Sequence, residues 1–305
     1  SMLVRDIISW NAMLSAYVDD RKAEKALQLY RQMQQEGSRP EKLTFVMALQ
    51  ACAILAEKEG MISNGRSTKE IALEIAKALH KDADMNGYTQ DMIVGTTLLG
   101  VYGRCGEIME AEDVFDGLLE RNLVSWTAML CAYVEQGKAE KALLLYRHMR
   151  NNHEEMHLDS ITFLCVLQSS GITGSLELCE ELHFSVISAG YDHISTMQAT
   201  LVNTYGSCAS MADAQSAFDG SLLPDVVSWS ACISGHASEG NSVESLHMFE
   251  SFKATGRSPD DILMTSLLSA CSYSGLVSRG CEYFETMIRD YAICPNLKHY
   301  GILID

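Results

Sequence analysis

The sequence predicts an all-α fold, a solenoid of stacked helix–turn–helix hairpins, and three observations carry that expectation. Only 4 Pro stand against 21 Gly in 305 residues, and Ala, Leu, Met, Glu and Lys are prominent, whereas a sandwich or barrel would need more turn and β-branched residues. Apolar residues recur at the three-and-four spacing of a helix with one buried face. Finally, the chain repeats itself at fixed offsets of 116 and 103 residues.

The repeat is plain in the residues. Ser9-Trp10-Asn11-Ala12-Met13-Leu14-Ser15-Ala16-Tyr17-Val18 returns as Ser125-Trp126-Thr127-Ala128-Met129-Leu130-Cys131-Ala132-Tyr133-Val134, and its opening returns again at Ser228-Trp229-Ser230-Ala231-Cys232-Ile233. Lys22-Ala23-Glu24-Lys25-Ala26-Leu27 recurs unchanged at Lys138 to Leu143. A second unit, Tyr102-Gly103-Arg104-Cys105 with Phe115-Asp116-Gly117, matches Tyr205-Gly206-Ser207-Cys208 with Phe218-Asp219-Gly220. All three Trp hold one phase, which reads as hairpin core or edge packing.

Each unit resolves into two amphipathic helices. In the first unit Trp10, Met13, Leu14, Tyr17 and Val18 share a face, and Ala23, Ala26, Leu27, Tyr30 and Met33 mark a second helix that Gly37 and Pro40 stop. One hairpin cannot bury its own apolar face, so neighbours must stack into a superhelix with a continuous core and an inner surface.

Composition excludes several classes. The longest low-polarity run, Leu43 to Ala56, is 14 residues, short of the roughly 20 a membrane span needs, so no membrane contact is expected. No secretory or transit leader opens the chain, so a cytosolic protein or an internal fragment is expected. Ten Cys sit singly in apolar contexts and read as buried thiols; no Cys-x-x-Cys occurs, so no metal site or other cofactor is expected. His153-x-Glu155 matches half of a zinc deaminase signature, but its cysteine partner motif is absent and no catalytic residue is assigned. The net charge is −17, and between Asn151 and Phe252 there are 13 Asp or Glu and no Lys or Arg, a poor surface for phosphates.

These repeats resemble the pentatricopeptide repeat proteins, in the plant-type arrays that alternate motif variants named P, L and S. Ser-Trp-x-Ala-Met-Leu with Lys-Ala-Glu-Lys-Ala-Leu looks like P, Thr44-Phe45 through Ala51-Cys52-Ala53 and Thr162-Phe163 look like L, and the Tyr-Gly-x-Cys units ending in Phe-Asp-Gly look like S. The motifs then run 7–41 (P), 42–91 (L), 92–122 (S), 123–159 (P), 160–194 (L), 195–225 (S), 226–260 (P) and 261–296 (L), with a severed S-like ninth at 297–305. These lengths reproduce both offsets, and Pro40, Pro224, Pro259 and Pro295 each fall one residue before a motif's end. An excess of about 15 residues at 57–71 reads as a loop insertion, with Ser67 or Thr68 capping the helix that follows.

The resemblance implies a right-handed α-solenoid that binds single-stranded RNA sequence-specifically, one base per hairpin. It assigns base reading to the fifth residue of each motif, an exposed polar group, together with the motif's last residue. The pairs are Asn11 with Glu41, Thr96 with Asn122, Thr127 with Asp159, Ala199 with Asp225, Ser230 with Asp260 and Thr265 with Asn296. Asp only accepts and suits guanine's N–H groups, whereas Asn both gives and takes and suits adenine. By resemblance Thr96/Asn122 and Thr265/Asn296 should prefer A, Thr127/Asp159 and Ser230/Asp260 should prefer G, and Asn11/Glu41 a pyrimidine. Val46/Asp91, Leu164/Ile194 and Ala199/Asp225 should be silent.

Position two holds Ile8, Ile93, Val124, Thr196 and Val227, aliphatic in four of five, which either wedge between bases or serve ordinary inter-repeat packing. A phosphate-meeting cation at position thirteen is present only as Arg104, so weak binding with a shallow salt dependence is expected. The resemblance further implies a mitochondrial or chloroplast location, RNA editing or processing proteins as partners, and any deaminase in a domain outside this chain. The alternatives are a tetratricopeptide-like scaffold for a basic protein partner, or an array of weak RNA affinity that self-associates as a homodimer through the severed hairpin at 297–305.

Overall fold

In the computed structural model, which describes residues 6–58, 66–152, 157–221 and 224–304, there are seventeen helices; most of the odd-numbered ones begin where an Asp or Asn side chain accepts a free N–H of the first turn, and many helices are followed by a left-handed residue. In order they are α1 (Ile7–Asp19), α2 (Ala23–Gln35), α3 (Lys42–Glu57), α4 (Thr68–Met85), α5 (Met92–Cys105), α6 (Ile108–Gly117), α7 (Leu123–Glu135), α8 (Ala139–Asn152), α9 (Ser160–Thr173), α10 (Leu176–Ser188), α11 (Ser195–Ser207), α12 (Met211–Asp219), α13 (Val226–Ser238), α14 (Ser242–Ala254), α15 (Asp261–Tyr273), α16 (Val277–Arg289) and α17 (Leu297–Ile304). Glycines at positive φ, such as Gly106 (φ 88°) and Gly174 (φ 68°), close helices in a conformation that other residues adopt only at a cost.

The chain divides into two compact units, residues 1–158 and 159–305. Within each, every odd-numbered helix packs on the next odd one, and every even helix lies against its own odd helix and the odd helix that follows it. Even helices meet one another through side chains, as where the Phe249 and Tyr283 rings lie 5.4 Å apart and Lys77 pairs with Glu110 at 3.0 Å, while their main packing is against odd helices, so each unit is two layers, a continuous row of first helices backed by second helices seated in its grooves. This is hairpin stacking: the apolar face that one hairpin leaves open is covered by its neighbour.

The recurring residues explain themselves in the packing. Trp10 and Trp126 are buried, and Trp229 nearly so. The Phe of each Phe-Asp-Gly meets the next hairpin's Trp edge-on, Phe115 to Trp126 at 5.0 Å and Phe218 to Trp229 at 4.7 Å between ring centres, the geometry that the ring quadrupoles favour. The Tyr of each Tyr-Gly-x-Cys unit reaches back to a histidine on the preceding second helix, with Tyr102 Oη 2.9 Å from His80 Nδ1 and Tyr205 Oη 2.9 Å from His183 Nδ1.

Those two histidines give the fold a pH dependence. Burial pushes both imidazoles below the ordinary histidine range, against a smaller opposing pull from Asp84 on His80 and from Asp213 and Asp192 on His183. The unfolded chain therefore takes up protons more readily than the folded one, and stability that is full above the unfolded histidine value of about 6.5 declines as the pH falls through the folded values. Urea unfolding is expected to show a lower midpoint at pH 5 than at pH 7.5. The double variant His80→Gln with His183→Gln should flatten that difference; an unchanged slope would show that the pH dependence arises elsewhere.

Three expectations need adjustment or fall outside the described residues. Cys281 and Cys294 are exposed, because they sit on the outer side of α16 and in the loop that follows it, while Cys52, Cys165, Cys179, Cys232 and Cys271 are buried as expected. The irregular segment expected at 57–71 is shorter than that, since Glu57 ends α3 and Thr68 already opens α4, with Ser67 Oγ accepting from Glu70 N at 3.1 Å as its cap; residues 59–65 lie outside the described residues. So does the His153-x-Glu155 motif.

Candidate nucleic-acid interface

The residue that ends each motif is the N-cap of the next first helix. Asn122 Oδ1 accepts from Ser125 N at 3.0 Å, Asp159 Oδ1 from Thr162 N at 2.8 Å, Asp225 Oδ1 from Ser228 N at 2.9 Å and Asp260 Oδ1 from Leu263 N at 2.8 Å. Asn296 Oδ1 accepts from both Lys298 N and His299 N, at 3.0 and 3.1 Å. Glu41 heads a capping box in which its own N–H donates to Thr44 Oγ1 at 3.1 Å. Asp and Asn are favoured here by helix capping alone, a cause that the base-reading assignment did not weigh. The two roles are compatible, because capping consumes Oδ1 and aims the other terminal atom away from the helix: Nδ2, a donor, in Asn, and Oδ2, an acceptor, in Asp.

Asp225 is the fullest case. Burial raises its carboxyl, but hydrogen bonds from Ser195 and Ser228 outweigh burial and hold it below the usual carboxylate range, so it is ionised at neutral pH and can only accept. Its Oδ2 takes the Ser195 hydroxyl at 2.5 Å.

The fifth residues depart from the expectation that they are exposed. Asn11, Thr127, Ala199 and Ser230 are buried at 8, 7, 5 and 4% exposure, and Thr96 and Thr265 are half-buried. The close packing of successive first helices is the reason: position five lies on the flank that faces the next hairpin. Ser230 Oγ donates to Val226 O at 2.8 Å and Thr265 Oγ1 to Asp261 O at 2.7 Å, the bond of a helical hydroxyl to the carbonyl four residues back. Spending its hydrogen this way leaves each hydroxyl an acceptor. Thr96 Oγ1 is buried without a hydrogen-bond partner, an orphan of the kind that a bound polar group would satisfy.

Buried does not mean sealed. Ser230 lies with Thr196, Ala199, Asp225, Val227 and Ile262 on the walls of a cleft of about 420 Å³. Thr265 and Asn296 share a second, of about 710 Å³, with Ile262 and Lys298. Thr127 and Asp159 belong to different units.

Position two separates the two readings left open by the sequence. Ile8, Ile93, Val124 and Val227 are 74, 48, 62 and 57% exposed, and Thr196 is exposed as well, so these side chains are not inter-repeat core. The L motifs, which sequence reasoning passed over, do the same with Leu43, Ile161 and Ile262. Each of the eight first helices thus offers one uncovered side chain at its N-terminal end, aliphatic in all but Thr196.

Cations are outnumbered by carboxylates, and several are engaged. Arg104 Nε is 3.2 Å from Glu57 Oε1, and Glu57 also holds Arg21, so the expected phosphate contact is already paired. Lys42, at the first position of its motif, is 2.6 Å from Asp91 Oδ2. Lys298, exposed beside Asn296, was missed; its signal was a lysine at position two of the ninth motif. Residues 1–158 carry 18 basic and 23 acidic side chains, residues 159–305 only 5 and 17. Among the described residues no cluster of His, Cys, Asp and Glu could hold a metal ion, and no helix is long and apolar enough to cross a membrane.

Stacked hairpins that each present an uncovered side chain, five of the eight beside a polar pair, define a helical-repeat binding scaffold. The chain matches the family model of the PPR repeat family over residues 5–54, and that of the PPR repeat over 96–123, 124–153, 227–256 and 262–291, together more than half of its length. It belongs to the pentatricopeptide repeat (PPR) family. In Arabidopsis thaliana it is 34% identical to the chloroplastic pentatricopeptide repeat-containing protein CRR2, over 99% of this chain and 44% of that protein. It is also 30% identical to a mitochondrial pentatricopeptide repeat-containing protein of the same plant, over 99% of this chain and 47% of the relative. The chain spans less than half of the length of these curated relatives. Among solved structures, maize PPR10 resembles it with TM-score 0.66, and PPR10 in complex with an 18-nucleotide psaJ RNA element with TM-score 0.69; each is 18% identical, and the latter covers 97% of this chain and 47% of that one.

Proposed function

We propose that this chain is the RNA-reading part of a plant organellar factor of the P-L-S type, binding single-stranded RNA at one base per hairpin in a chloroplast or mitochondrion, in the service of editing or processing of transcripts. The observation that carries the reading is the uncovered side chain at position two of each of the eight complete motifs: seven aliphatic groups left in water forgo the free energy of burial, and a base face is the kind of partner that would supply it. Beside five of them, Ile8, Ile93, Val124, Val227 and Ile262, lies a polar pair. At Ser230 and Thr265 a back-bonded hydroxyl at position five offers an acceptor, and the cap offers a donor if Asn and an acceptor if Asp. Adenine presents one donor and one acceptor on its pairing edge, guanine two adjacent donors, so the cap residue alone decides between them.

The RNA-bound structure of PPR10 supports the partner class. The rival, a scaffold for a basic protein, draws on the 5 basic against 17 acidic side chains of residues 159–305. Salt titration of binding to a random pool of short single strands separates them and tests the contacts. With about one or two phosphates neutralised, log Kd against log salt should have a slope near ~1 in magnitude, since each neutralised phosphate of a single strand contributes about 0.7. A slope several times steeper would contradict the assigned contacts, and preference for basic peptides over RNA would favour the rival.

A further inference from the structure

At two junctions, one in each unit, the third residue of a motif connects the two base-reading positions of the hairpin before it. In the first, Glu41 N donates to Thr44 Oγ1 at 3.1 Å, and Thr44 Oγ1 donates to Asn11 Oδ1 at 2.7 Å. In the last, Asn296 N donates to His299 Nδ1 at 3.1 Å, and His299 Nε2 stands 2.9 Å from Thr265 Oγ1. Thr44 and His299 are both fully buried, although one is a hydroxyl and the other an imidazole. The order of partners is the same each time: cap N–H, third residue, fifth residue.

We infer that this third residue is a positioning residue for base recognition, setting which hydrogen-bonding group the fifth residue turns towards RNA. A backbone N–H can only donate, and that gives the relay its direction. His299 Nδ1 has one lone pair, so accepting from Asn296 N leaves the ring's hydrogen on Nε2, which points between Thr265 Oγ1 at 2.9 Å and Asp261 O at 3.1 Å. Thr265 spends its own hydrogen on Asp261 O, so it faces the cleft as an acceptor only. Asn296, with Oδ1 held by two helix N–H groups, contributes Nδ2 as a donor. The pair is then polarised for adenine's amino group and ring nitrogen. At the other end, Thr44 holds Asn11 by its oxygen and leaves Nδ2, a donor, which suits the acceptor atoms of a pyrimidine edge.

At two other junctions the third residue also bonds to its cap. Thr162 Oγ1 donates to Asp159 Oδ1 at 2.6 Å and Ser228 Oγ to Asp225 Oδ1 at 2.9 Å, so the carboxylate takes the third residue's hydrogen for itself. At Asn122 the third residue also stays with the cap, Ser125 Oγ donating to Asn122 O at 2.9 Å while Thr96 Oγ1 has no hydrogen-bond partner, so the relay is a feature of the Glu41 and Asn296 junctions and not of cap identity.

The inference rests on the RNA-binding reading, and its test separates the two. Nitrogen-15 spectra of the imidazole in the intact chain are expected to show His299 as the Nε2–H tautomer; an Nδ1–H tautomer overturns the relay whether or not RNA binds. Selection from random RNA should then show the A preference at that hairpin, expected at about 10-fold, falling below about 3-fold in His299→Leu and returning in His299→Gln, which can accept and donate in the same order. Preferences at Ser230/Asp260 should not move. Thr44→Val, rescued by Thr44→Ser, repeats the test at the first hairpin should His299→Leu fail to fold. Unchanged preference in variants that still bind overturns this inference alone; a wild-type chain that binds no RNA overturns the functional reading and this role with it.

Discussion

Replacing Asp260 by Asn is expected to convert the base read by the Ser230 hairpin from G to A, and replacing Asn122 by Asp to convert the Thr96 hairpin from A to G. Both substitutions keep the cap, because Oδ1 of either residue can accept from Leu263 N or Ser125 N as the native one does. Asn and Asp are near-equal caps, so folding stability should change by less than about 1 kcal/mol. What changes is the outward atom, and a base edge left with two facing donors or two facing acceptors loses about 1–3 kcal/mol of discrimination. Competition binding between RNAs that differ at one base should register this as roughly a 10- to 100-fold reversal. A loss of affinity for every sequence alike would mean that the caps serve the helices only.

Gly103→Ala should destabilise the protein by about 1–3 kcal/mol, whereas the equivalent Gly206→Ala should be neutral or stabilising by up to about 1 kcal/mol. A Cβ built on Gly103 would stand 2.7 Å from Ala132 Cβ and 3.3 Å from Ala132 Cα, so α5 and α7 would have to part. At Gly206 the nearest atom, Met211 Sδ, is 3.7 Å away, an ordinary contact. Thermal unfolding of the two variants checks this directly. Equal costs would show that the glycine of Tyr-Gly-x-Cys is required by something other than the approach of the first helices.

How much of this was legible in the residues follows from what repetition can carry. The offsets place equivalent residues, so His80 and His183, Tyr102 and Tyr205, and Phe115 and Phe218 all stand 103 apart, but an offset does not say which residues touch. The His–Tyr and Phe–Trp contacts join neighbouring hairpins and depend on how second helices seat between first ones. The cap role was readable and overlooked: Glu41, Asn122, Asp159 and Asp225 are each followed three residues later by Ser or Thr, the spacing at which a side chain returns to a helix's first turn. Helical phase placed position two and position five on one face, yet the first is open and the second closed, because the adjacent first helix covers only the flank towards it. Arg104 illustrates the same limit, since its partner Glu57 lies on a different hairpin.

The central claim is that each hairpin addresses one base through a cap-oriented pair, and selection of bound sequences from a random single-stranded RNA pool tests it most directly. With Thr96/Asn122 and Thr127/Asp159 in adjacent motifs, two silent motifs next, and then Ser230/Asp260 and Thr265/Asn296, the recovered pattern should be A and G side by side, two unspecified positions, then G and A side by side. A consensus with other spacing, or tight binding with no base preference at those four positions, would contradict it.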